Sequence, residues 1–128
     1  MKRIEKMLPE AIASVTVCKI ADNKGQVDGA FNGYISSLGA SIISAGLLPT
    51  VIFFSRKGGS QADRPAVIAA IEEILKKHHF LKGNERLLQL IQNLVRDNNN
   101  AELSRMSSLI ADAAVALKLA IRTFPEKH

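Results

Sequence analysis

Residues 47–58 read LLPTVIFFSRKG, and the fold turns on whether Val51–Phe54 is a strand or a helix. The run is β-branched and aromatic, so local propensity favours a strand. A strand needs a partner for its ladder, and an isolated one leaves backbone N–H and C=O groups unsatisfied. Elsewhere the apolar residues recur at steps of three and four, the period of a helix. The segment therefore reads as a short buried helix starting at Pro49, and the chain as all-α. The expected architecture is a compact bundle of about six helices, mostly antiparallel across short loops, in a single helical domain covering residues 1–128.

The segment closes a longer stretch, Gly29–Ser55, without a single Asp, Glu, Lys, Arg or His, in a chain of 128 residues with 17 basic and 12 acidic side chains. A membrane span needs roughly 20 predominantly apolar residues in a row. Here Asn32, Ser36, Ser37, Ser41, Ser44 and Thr50 punctuate the run, and Gly46 with Pro49 break it in two. No membrane association is expected. The stretch reads as a helix end, a Gly-Leu-Leu-Pro turn, and a central segment with Ile52 and Phe53 in the core.

Working outward, Ile4, Met7, Leu8, Ile12, Val15 and Ile20 make a first helix that ends at DNKGQVDG, with Pro9 marking a kink or its first turn. Val27, Phe31, Tyr34, Leu38, Ile42 and Ala45 form the next stripe, closed by Gly46. After the loop RKGGSQADRP, Asp63 suits a cap and Pro65 a first turn. Val67, Ile68, Ile71, Ile74 and Leu75 then face inward. Glu72 and Glu73 read as a solvated face, spaced to pair with Lys76 and Lys77. HHFLKGN is a turn, Leu87–Val95 a helix closed by DNNN, and the last helix runs unbroken to Phe124.

The net charge of +5 and pI near 9.6 permit a polyanionic partner. The single cysteine, Cys18, excludes an intramolecular disulfide and a thiolate metal cluster, and reads as a buried inert thiol. The opening MKRIEKMLPEAIASVTV is broken by Glu10 and reads as an amphipathic helix rather than a signal peptide, which points to the cytoplasm. No catalytic constellation stands out, and neither enzyme activity nor a cofactor is expected. His78 and His79 are adjacent, about 100° apart on a helix, and suit a polar helix end better than a metal site. RKGGSQ lacks the spacing of a phosphate-binding loop. Cations cluster at Lys2, Arg3 and Lys6, at Arg56 and Lys57, at Lys76, Lys77, Lys82 and Arg86, and at Lys118 and Arg122.

The stretch YISSLGASIISAGLLPTVIFFSRKG, Tyr34–Gly58, and the last helix, LIADAAVALKLAIRTF, together resemble the small all-helical subunit of type III-B CRISPR RNA-targeting complexes, the fifth member of the Cmr set. The shared pattern is a helix, a Gly-Leu turn, an apolar segment and a Ser-Arg-Lys loop, then a C-terminal helix of small apolar residues ending in Lys and Arg. The chain departs from it in having Leu38-Gly39 where a Leu-Pro pair is common, and no Trp in the last helix. The resemblance implies a non-catalytic subunit that stacks into a short filament along the guide RNA–target RNA duplex and joins other subunits of the Cmr complex. By family position it assigns RNA contacts to Arg56, Lys57, Lys118 and Arg122, with Lys19, Lys76, Lys77 and Lys82 as weaker candidates. Three other readings compete: a protein scaffold that touches no RNA, a small helical enzyme or metal protein built on His78 and His79, and an independent DNA-binding helical protein.

Overall fold

The computed structural model describes residues 2–56 and 63–127. Six helices make up the described part: α1 (Arg3–Val17), α2 (Ala30–Ala45), α3 (Leu47–Ser55), α4 (Arg64–Lys77), α5 (Leu87–Arg96) and α6 (Asn100–Ile121). Two short strands, β1 (Val27–Asp28) and β2 (Glu126–Lys127), pair in parallel. The all-α expectation holds, and Val51–Phe54 lies within α3.

α6 is the axis. It runs for roughly 33 Å at 1.5 Å per residue and packs against α1, α2, α4 and α5. Its buried face alternates large and small side chains: Met106, Leu109, Ile110, Leu117 and Ile121 with Ala113, Ala114, Ala116 and Ala120. The alanines let α1 approach closely, and the α1–α6 pairing is the most extensive in the molecule. α1 brings Met7, Ala11, Ser14 and Val15 to it, one side of a 3.6-residue spiral. An Arg3–Asp112 ion pair at 3.0 Å ties the start of α1 to α6. Pro9 neither kinks the chain out of the helix nor begins it. α1 runs through it, because Pro9 is exposed and tertiary packing on the opposite face outweighs one lost hydrogen bond.

Three helices end alike. After α1, α4 and α5 the chain closes with paired back-bonds, such as Phe80 N–H to Leu75 O at 2.9 Å and His79 N–H to Lys76 O at 3.1 Å. Lys19, His79 and Asn98 take the left-handed conformation this closure needs, with φ of 61°, 62° and 53°. α2 ends instead at Gly46, whose φ of 97° and ψ of 168° belong to glycine.

The quoted stretch divides by face. Leu47, Thr50, Val51 and Phe54 are buried against α2, α4 and α5, while Ile52 is 49% and Phe53 55% exposed. The expectation that Ile52 and Phe53 lie in the core is corrected. A nine-residue helix touching neighbours on one side must turn some of its apolar residues outward. Ile43 of α2 is also outside, at 89%.

Glu72 is the other correction. It is buried, not solvated, and its carboxylate accepts the Leu87 N–H at 2.7 Å and the Arg86 Nε–H at 3.1 Å. α5 starts after Arg86, which offers no side-chain acceptor to its open N–H groups, and α4 supplies one instead. Asp63 stands at the cap position of α4 as expected, yet its side chain makes no cap bond, and its Oδ1 is buried without a partner among the described residues.

Candidate nucleic-acid interface

The candidate cations fall into separate groups. Lys118 and Arg122 sit one turn apart at the end of α6. Lys118 Nζ donates to Ser36 Oγ of α2 at 2.6 Å, which fixes the ammonium over the α2–α6 seam. Arg122 is exposed and lines a concavity of about 220 Å³ with Asp28, Asn32, Phe124 and Glu126. This basic spot is therefore flanked by two carboxylates. Arg56 is exposed just past α3, and Lys57 lies outside the described residues.

Lys19, exposed after α1, lines a small hollow with Asp22, Asp28, Asp63 and Lys127. Three acids temper it. Asp22 itself is held below the usual carboxylate range, first by the Gln26 backbone N–H and then by the Lys24 N–H and the Lys127 and Lys24 charges.

Lys76 and Lys77 part company, as neighbours on a helix must. Lys77 borders a hollow with Glu10, Val17 and Glu73 on the α1 side. Lys76 joins Lys82 in the largest of the surface concavities described, about 530 Å³, together with His79, Phe80, Glu85 and Arg105. Arg105 and His79 were not among the expected RNA contacts. The run KKHHFLK, basic with an aromatic inside it, carries a signal of this kind. Arg105, more than twenty residues later, carries none by itself. Its guanidinium lies 5.7 Å from the Phe80 ring centroid and pairs with Glu102.

The two histidines do not converge on one point. His78 stacks on Phe80 with rings 17° from parallel, and His79 faces the concavity. Among the described residues no group of three or more His, Cys, Asp and Glu is placed to hold a metal ion. Cys18 is half-buried, and burial first, then the Glu73 and Glu72 charges, push its thiol up to about 11. Such a thiol is a poor nucleophile at neutral pH. No described helix is long and apolar enough to cross a membrane.

The family model for CRISPR-associated protein (Cas_Cmr5) matches residues 6–110. No curated protein and no solved structure gives a significant match. The matched stretch runs from α1 into the first half of α6, so it contains Lys19, Arg56, Lys57, Lys76, Lys77 and Lys82 and stops short of Lys118 and Arg122. Matched over most of its length, the chain belongs to the Cas_Cmr5 family, the small subunit of type III-B CRISPR effector complexes.

Proposed function

We propose that this chain serves its Cmr complex as a non-catalytic, cytoplasmic subunit that binds the RNA backbone without reading sequence. Stacked copies would lie along the guide RNA–target RNA duplex. Lys and Arg side chains neutralise phosphates and release counterions, while base pairing with the guide carries specificity. A-form RNA is met through its shape and backbone. The observation that carries the reading is the Lys118–Arg122 pair, two cations one turn apart at the α2–α6 seam, with Lys118 held in place by Ser36. Arg56 and Lys57 extend the same role, and Lys19, Lys76, Lys77 and Lys82 are secondary contacts. Filter binding of single-stranded RNA across a salt series tests it. Affinity should fall with salt, and Lys118→Ala with Arg122→Ala should flatten that dependence by about 1.4 log units per decade, at roughly 0.7 per phosphate contact. Affinity indifferent to both changes counts against RNA binding by this subunit.

A second reading, a scaffold without RNA contact, is favoured by the exposed Ile43, Ile52 and Phe53. Apolar side chains left outside on α2 and α3 suit a protein partner. Cross-linking in the assembled complex separates the two: RNA adducts on Lys or Arg support the first, and adducts confined to neighbouring subunits support the second.

A further inference from the structure

Beyond α6 the chain turns back over the start of α2. Phe124 is half-buried against the core, and Pro125 O then accepts the Val27 N–H at 2.9 Å. Glu126 and Lys127 follow as β2, in register with Val27 and Asp28. Lys127 Nζ lies 3.8 Å from Asp22 Oδ2. The hold is slight. Both residues of β2 are exposed, a two-stranded ladder is marginal on its own, and an exposed ion pair contributes little. A segment attached in this way opens locally at low cost.

It carries a negative charge to a place that attracts one. α2 has no acidic residue in its first turn, and Gly29 has no side chain to cap it. Asp28 accepts the Ala30 N–H at 2.9 Å, which answers only part of the positive end of the helix. Glu126 comes to the same end, where a methyl group built on Gly29 would collide with its Oε1. Gly29 has helical φ and ψ of −59° and −21°, open to any residue, so what it provides is room for the carboxylate. Glu126 thereby lines the hollow of Arg122 and Asn32. Arg122 is exposed and forms no ion pair among the described residues. A carboxylate in that hollow offsets the field that an incoming anion would meet.

We propose that residues 125–127 are an autoinhibitory strap. Closed on β1, the strap holds Glu126 in the Arg122 hollow as a stand-in anion, and it swings off β1 when an RNA phosphate takes that place. The inference rests on the RNA-binding reading above and adds a regulated step to it. A strap open in about one molecule in ten would lower apparent affinity about tenfold.

The test locks and loosens the strap in the full chain. Asp28 and Lys127 are partners in the ladder, so Asp28→Cys with Lys127→Cys places two thiols side by side. One preparation is then compared oxidised and reduced, by filter binding of single-stranded RNA across a salt series. The oxidised form should bind several-fold more weakly, with a salt slope lower by about 0.7, the loss of one phosphate contact. Reduction should restore both. Glu126→Gln with Lys127→Gln loosens the strap at unchanged net charge and should tighten binding several-fold, up to about tenfold. All these substitutions are at residues outside the core, and a melting curve checks folding. In the unaltered protein, saturating RNA should speed hydrogen exchange at the Val27 amide, which Pro125 O protects in the free state. Equal affinity in the oxidised and reduced forms, or a Val27 amide equally protected with and without RNA, overturns the strap. If binding then still responds to Lys118→Ala with Arg122→Ala, the broader RNA reading stands without it. No RNA binding by any form, loosened ones included, overturns both.

Discussion

The Glu72 carboxylate of α4 accepts the Leu87 backbone N–H at 2.7 Å, so α5 is capped by a neighbouring helix and not by its own sequence. Removing the acceptor strands a buried donor, which costs about 1–3 kcal/mol. Glu72→Ala should therefore lower stability by about 2 kcal/mol in urea denaturation. Arg86→Ala removes only the exposed partner and should cost less than about 1 kcal/mol. Equal losses from the two variants would mean that the ion pair matters and the cap does not.

Phe53 and Phe54 are adjacent, yet they should respond in opposite ways to truncation. Phe54 is buried, and Phe54→Ala should cost about 3–5 kcal/mol. Phe53 is half outside and holds the Arg64 guanidinium 4.3 Å above its ring. Phe53→Ala should cost about 1 kcal/mol or less. Thermal melts of the two variants decide it, and similar losses would place Phe53 in the core.

Gly46 separates α2 from α3. A methyl group there would meet only Pro49 Cδ at 3.9 Å, so space is not the obstacle. The backbone is, since φ of 97° with ψ of 168° is a region that side chains avoid. Gly46→Ala should lose about 1–3 kcal/mol in equilibrium unfolding. An unchanged midpoint would show that the hinge relaxes freely.

Cys18 should be slow to alkylate. With its thiol at about 11 in place of an ordinary 9.0, the thiolate is scarce near pH 8, and its rate with iodoacetamide should keep climbing to about pH 11. The native state holds this proton more tightly than the unfolded chain. The stability it confers is thus complete below about pH 9 and declines as pH rises toward 11. A native rate at pH 8 equal to that in urea would contradict the burial.

Helix order and most helix ends were legible because they are written locally. Gly46 stops α2, Pro65 stands in the first turn of α4, and the spacing of Val67, Ile71, Ile74 and Leu75 marks an inner face. Val51–Phe54 needed a non-local argument, the want of a partner strand, to override its propensity. Glu72 was misread because its role depends on a cap that α5 lacks, fifteen residues away, while its immediate Lys neighbours suggested an exposed pair. The site shows the same limit. Lys76 and Lys82 were visible as part of a basic run, but only packing sends Lys77 to the α1 side and delivers Arg105 to the turn. Ile52 and Phe53 were misplaced because an apolar run does not state how many sides of a short helix will be covered.

The position of α6 also governs when the molecule acquires its core. Every residue of α1 to α5 leaves the ribosome before α6 does, yet α1, α2, α4 and α5 all rest on it. The α1–α6 seam, the Arg3–Asp112 pair and the bond from Val27 N–H to Pro125 O each join points about a hundred residues apart. Contacts this distant in sequence slow folding, because the loop must close before they form. During translation the earlier helices carry their apolar faces uncovered and exposed to aggregation, and a nascent chain halted before α6 should remain sensitive to protease along its whole length.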